Sequence, residues 1–305
     1  MARKIQMWSF WPIFILFFLV PVFSQADEGA DSHAPIPDGK YDNHGYLVNP
    51  ARMDLDKIRI AVVSLEKEVH FAPIGGLIDE IPIKSWSRGT GVVIAGRFVL
   101  TQYHVVITDE LLIPSSCGSP SIARDAKKIY EQTFLYTEKN GGKETYPLKQ
   151  IYSNKKSDLA ILELPPEAKL PSFPYAPGNS DDLKAGNFVY LFGNSLGEMV
   201  NMRSGIVSAI NVSPRWSTRE ALKKTFMISG PVYPGDSGGP IVAILDGRYE
   251  WVGTANALFF ECGWRETASA LGFAIPMNLI RDRVLNDCKC PQELRDFFEK
   301  RGRRQ

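Results

Sequence analysis

Tyr233-Pro234-Gly235-Asp236-Ser237-Gly238-Gly239-Pro240 reads as a sharp turn that bares a hydroxyl. Two glycines follow Ser237 and one precedes it by two positions, so the backbone can bend tightly and present its N–H groups with no Cβ in the way. A serine hydroxyl is a weak nucleophile until a base takes its proton, and the oxyanion formed on attack needs backbone donors aimed at it. The N–H groups of Gly235 and Ser237 fit that need. A glycine-rich hairpin turn with an incidental serine would read the same locally, so the rest of the chain has to supply a base, an orienting carboxylate and a scaffold.

The search for a base is short, because the chain has only four histidines. His33 and His44 lie in a polar lead-in, and His70 follows the charged run Glu66-Lys67-Glu68. His104 stands directly after an expected strand, in Leu100-Thr101-Gln102-Tyr103-His104-Val105-Val106, and is the best placed. The orienter should accept the second imidazole N–H and stabilise the imidazolium. Asp158 begins Asp158-Leu159-Ala160-Ile161-Leu162, at the edge of an apolar strand where a charge needs a partner. Asp109 is nearer in sequence but sits in an acidic loop with Glu110, and Asp181 and Asp182 fall in a connector.

Outward from these residues the pattern is β. Short runs rich in β-branched and aromatic residues recur from Ile58 to Ile275, among them Ile58 to Leu65, Gly89 to Ile94, Phe98 to Gln102 after the turn Ala95-Gly96-Arg97, Tyr146 to Tyr152, Met202 to Asn211 and Trp251 to Leu258. Many short strands with turn signals point to sandwiches or barrels. Pro165, Pro166, Pro171, Pro174 and Pro177 cannot lie inside a sheet, so residues 165–185 form a connector between two β halves, about 58–164 and 186–276. After Pro276 the spacing turns helical, through Leu279, Ile280, Val284 and Leu285 and then Leu294, Phe297 and Phe298, giving a helical tail over 284–305.

Arg3 and Lys4, an apolar run from Met7 to Phe23 and Ser24-Gln25-Ala26 read as an export signal over residues 1–26. Residues 27–57 are the lead-in. Membrane association is expected only if the signal segment stays on as an anchor; otherwise the chain is periplasmic or secreted. Without that segment 33 basic side chains face 34 acidic ones, which leaves no electrostatic case for nucleic acid. Four cysteines, Cys117, Cys262, Cys288 and Cys290, suit disulfides in an oxidising compartment. Cys288 and Cys290 are so close in sequence that at least one is expected to bridge elsewhere. No histidine or second cysteine pair stands at metal-ligand spacing, so neither metal nor cofactor is expected.

Taken together, Gly89-Thr90-Gly91-Val92-Val93-Ile94, Leu100-Thr101 with His104-Val105-Val106, Ser157-Asp158-Leu159-Ala160-Ile161-Leu162, and Pro234 to Pro240 resemble the trypsin-like serine proteases, nearest to their HtrA/Deg branch. Gly193-Asn194-Ser195, Ser204-Gly205-Ile206-Val207-Ser208 and Gly272-Phe273-Ala274-Ile275-Pro276 are similar to that branch too, and the likeness spans residues 58–283. The resemblance implies an all-β fold of two six-stranded barrels with the site in the cleft between them. It implies Ser237 as nucleophile, His104 as general base and acid, Asp158 as orienter, and the Gly235 and Ser237 N–H groups as oxyanion hole, acting on protein or peptide substrates.

Several departures carry consequences. Val105 stands where digestive-type members have a cysteine, and only 22 residues follow position 283, too few for a PDZ domain. Asp236 precedes the nucleophile as in zymogen-activated trypsins, whereas HtrA members usually carry Asn there. Its partner is open: a freed N-terminus such as Ile74-Gly75-Gly76, which lacks a basic residue just ahead, or a nearby loop. Pro231 occupies the expected floor of the primary pocket, so no acid awaits Arg or Lys. Asn256, Ala257 and Leu258 are expected to border the substrate, with small or medium apolar residues preferred before the scissile bond. A trypsin fold that binds or chaperones without cleaving is the alternative reading.

Overall fold

The computed structural model describes residues 38–42, 55–72, 83–109, 111–113, 121–123, 127–139, 142–213, 224–258 and 269–299. The export segment, His33, His44, Ile74-Gly75-Gly76, Cys117 and Cys262 lie outside these residues.

Helix α1 (Leu55–Ala61) leads into β1 (Val62–Phe71). The expected strand from Ile58 is therefore corrected: its first four residues are helical. Ile58, Ala61 and Val62 recur at i, i+3, i+4 and are buried, while Lys57, Arg59 and Ile60 face outward, so the helical period wins over β-branching. The first half continues through β2 (Ile83–Ile94), β3 (Phe98–Thr101), α2 (Tyr103–Val106), the small hairpin β4 (Leu111–Ile113) and β5 (Ser121–Ala123), then β6 (Lys128–Lys139), β7 (Gly142–Pro147), β8 (Lys149–Asn154) and β9 (Leu159–Glu163).

Its main sheet is antiparallel, in the order β7-β6-β1-β2-β3-β9-β8, curled into a half-barrel. The expected single strand from Tyr146 to Tyr152 is split, because Pro147 offers no N–H and ends β7. Its two pieces pair at opposite edges, β7 with β6 and β8 with β9. One bent stretch of chain thus joins the two ends of the sheet, which is how six expected strands become seven.

The second half is a closed six-stranded barrel in the order β10-β11-β12-β15-β14-β13. Its strands are β10 (Phe188–Ser195), β11 (Met199–Val212), β12 (Thr225–Val232), β13 (Pro240–Leu245), β14 (Arg248–Leu258) and β15 (Ser269–Pro276). The proline-rich connector crosses between the halves, with Phe173 N–H bonded to Val93 O and the Phe173 ring 5.0 Å from Trp251.

Helices α3 (Met277–Asn286) and α4 (Gln292–Glu299) follow. They bury Met277, Ile280, Val284, Leu294 and Phe298 in a core shared with both halves, including Val92, Phe192 and Trp251. Each half also has its own core. Cys288 and Cys290 are joined to each other at the turn between α3 and α4, with Cα atoms 5.0 Å apart, so the expectation that one reaches elsewhere is corrected. The turn folds the chain back enough to bring two near neighbours into bridging range.

Strand β1 alternates inward and outward, and its inward set is Leu65, Lys67, Val69 and Phe71. Lys67 is a cation in an apolar row, 3% exposed, with Nζ donating to His104 O at 3.3 Å. Burial pulls its pKa down from 10.5 to about 8, against the attraction of Glu131. Between pH 8 and 10.5 the unfolded chain holds a Lys67 proton that the folded chain has released, so stability rises with pH there. Denaturation at pH 8 and pH 9.5 should show a Lys67 gain of about 1.5 kcal/mol, read as wild type minus Lys67→Met because the raised tyrosine pKa values pull the other way in both proteins. An equal change in the two proteins would show that other groups cause it.

Candidate active site

Gln102, just after β3, is extended and the chain then enters α2, which leaves His104 with 30% of its side chain exposed. Asp158 closes the turn before β9 in a left-handed conformation, φ 50°, that an Asp tolerates. Its side chain is 2% exposed and faces three donors. His104 Nδ1 lies 2.8 Å from Oδ2, the His104 backbone N–H donates to Oδ1 at 3.0 Å, and the Asn256 amide donates to Oδ2 at 2.8 Å. Burial alone would raise the Asp158 pKa, but the His104 charge and these hydrogen bonds outweigh it and hold the carboxyl at about 2. An ionised Asp158 can accept from the ring only with the proton on Nδ1, the tautomer that leaves Nε2 as the acceptor.

Ser237 occupies the turn between β12 and β13. Its hydroxyl donates to Asn256 O at 3.1 Å, so in this structure it points to the strand that orients Asp158 and not to the His104 ring. Asn256 therefore touches both ends of the constellation. Its side chain turns inward at a bulge in β14, where the pairing with β15 slips between Ala255 and Ala257. Sequence reasoning placed Asn256 at the substrate and missed this role; a bulge leaves no mark in residue type.

The carbonyls of the serine turn are tied back. Leu196 N–H donates to Pro234 O at 2.7 Å and the Thr90 hydroxyl donates to Gly235 O at 2.7 Å. Because a trans peptide points its N–H opposite its C=O, fixing Pro234 O aims the Gly235 N–H away from the β10–β11 loop. Gly235 has φ 99°, and a Cβ there would stand 2.3 Å from Asn194 O. At Gly238, φ 91°, a Cβ would meet Thr90 O at 2.1 Å. Thr90 N–H also donates to Ser237 O, so the Gly89-Thr90-Gly91 stretch of the first half braces the turn of the second.

Asp109 is engaged at the surface by the Tyr103 hydroxyl and Lys155, each at 2.8 Å, and takes no part in the His104 pair. His70 pairs with Glu68 at 2.6 Å on β1. Pro231 is exposed on β12. Ala257 and Leu258 continue β14 opposite Phe273 and Gly272, and their side chains lie outside the described set. A cleft of about 570 Å³ opens beside Gly235, lined by Glu66, Trp86, Arg88, Leu196 and Pro234. Among the described residues no three His, Cys, Asp or Glu side chains are grouped to hold a metal.

The Trypsin-like peptidase domain family matches residues 89–253. The chain is 31% identical over 217 residues to the periplasmic pH-dependent serine endoprotease DegQ of Escherichia coli (strain K12), covering 70% of this chain and 39% of that protein. It is 27% identical over 243 residues to the human serine protease HTRA3, covering 77% and 46%. The chain thus spans less than half the length of these relatives. In fold it is similar to a variant of the HtrA-type protease AlgW with decapeptide, TM-score 0.54 at 20% identity, covering 76% of this chain and 66% of that one. Deg5 aligns with TM-score 0.50 at 18% identity, covering 77% and 93%.

Proposed function

The chain belongs to the trypsin-like peptidase family, and from that premise we propose that it is an exported serine endopeptidase using Ser237, His104 and Asp158. The observation that carries the reading is the His104–Asp158 pair, buried on the Asp side and held by three donors, together with a serine turn whose Pro234, Gly235, Asp236 and Ser237 carbonyls are engaged. A rotation about the Ser237 side chain moves its hydroxyl from Asn256 O toward His104 Nε2. Nε2 takes the proton as Oγ attacks the scissile carbonyl, and the Gly235 and Ser237 N–H groups receive the oxyanion. His104 then protonates the leaving amine. Water, activated by the same nitrogen, releases the acyl group.

Specificity follows from what is missing. Pro231 puts no charge at the pocket floor, and Asp236, the acid nearest the nucleophile, has both oxygens occupied. Small or medium apolar residues before the scissile bond fit such a site, with the main chain of Asn256, Ala257 and Leu258 alongside the substrate. The periplasmic designation of DegQ supports export to that compartment.

Casein digestion and cleavage profiling on a peptide library test this. Hydrolysis after Ala, Val or Leu is expected. Cleavage after Arg or Lys would sink the pocket assignment, and no cleavage, with no acylation by an active-site probe, would favour a binding protein.

A further inference from the structure

Asp236 is fully buried beside the nucleophile, yet its carboxylate is saturated. Arg203 on β11 forms a two-point pair with it, Nη1 to Oδ2 at 2.6 Å and Nη2 to Oδ1 at 2.7 Å. The Ser195 hydroxyl donates to Oδ1 at 2.9 Å, and the Tyr233 backbone N–H donates to Oδ2 at 2.6 Å. A carboxylate has about four lone-pair sites, and four donors fill them. The guanidinium is itself sunk, with 13% of its side chain exposed, and a third hydrogen bond, from Nη1 to Pro231 O at 3.3 Å, fixes its tilt. Gly193 makes the room: a Cβ at that position would stand 2.4 Å from Asp236 Oδ1.

A buried carboxylate with one partner removed is strongly unfavourable, so the side chain and its counter-ion are committed to each other. Asp236 lies between Gly235 and Ser237, and whatever anchors its side chain orients the peptide planes on both sides. We infer that Arg203 is a positioning residue, a built-in counter-ion that holds the oxyanion turn assembled in the uncut chain and leaves no site on Asp236 for an ammonium group exposed by proteolysis. This rests on the endopeptidase reading of the same turn.

The test compares full-length wild type with Arg203→Met and Arg203→Lys in peptide hydrolysis, after intact mass shows that no bond between residues 55 and 299 has been cut. Wild type should be active without processing. Arg203→Met should lose about 10²- to 10³-fold in kcat, the scale of losing an oxyanion donor, with KM changed less than about threefold. Arg203→Lys, which keeps the charge but not the fork, should fall between. Adding Asp236→Asn to Arg203→Met removes the orphaned charge and should restore part of kcat, a rescue that a merely structural loss would not give. If Arg203→Met does not fold, the Lys variant carries the comparison.

Wild-type kcat in a folded Arg203→Met or Arg203→Lys would overturn the inference while leaving the protease reading intact. Activity that appears only after chain cleavage would also overturn it. An uncut chain that neither hydrolyses nor acylates under any treatment would overturn both.

Discussion

Ser237→Ala is expected to lower peptide hydrolysis by about 10⁶-fold, since removing the nucleophile of such a triad costs about as much as removing the whole set. The residual rate should still exceed that in water by about 10³- to 10⁴-fold, because the substrate cleft and the oxyanion donors survive. The fold should not notice. Ser237 is partly exposed and its hydroxyl makes one hydrogen bond, to Asn256 O, while the turn is held by Thr90, Leu196 and Asp236. An unchanged melting temperature with lost turnover separates chemistry from scaffold. Turnover within tenfold of wild type would remove Ser237 from the mechanism.

Asp158→Asn should cost about 10⁴-fold in kcat at neutral pH. The three groups bonded to the Asp158 carboxylate above are donors: His104 N–H, the His104 ring and the Asn256 amide. An Asn side chain sets its NH₂ against one of them in either orientation. Turned to the ring, it moves the imidazole proton to Nε2 and leaves no base toward Ser237. The acid limb of stability should change as well. With its folded pKa lowered from 3.8 to about 2, Asp158 contributes stability that is complete above pH 3.8 and lost as pH falls toward 2. The variant should lack that component in acid denaturation. Retention of kcat within tenfold would mean that Asp158 does not orient His104.

The parts of this site that sequence made legible are those with a local signature. Glycines around Ser237, a histidine leaving a hairpin and an acid heading an apolar strand each state a backbone or burial requirement that residue type records. What stayed hidden depends on register between distant strands. Arg203 meets Asp236 only because β11 pairs with β10 at Leu191, on the same strand whose last residue, Ser195, also donates to Asp236. Asn256 turns to Asp158 through a bulge, and Lys67 faces inward because the alternation of β1 puts it there whatever its charge. The helix at Ile58 and the bridge between Cys288 and Cys290 were masked by local expectations that packing overrode.

Locating the adduct of a fluorophosphonate on the wild-type chain tests the acyl-enzyme account most directly. Peptide mass spectrometry should place one phosphonyl group on the Ser237 hydroxyl, with hydrolysis lost in proportion to labelling. Peptide hydrolysis that continues undiminished with Ser237 fully modified, or inactivation with the adduct on any other residue, would contradict it.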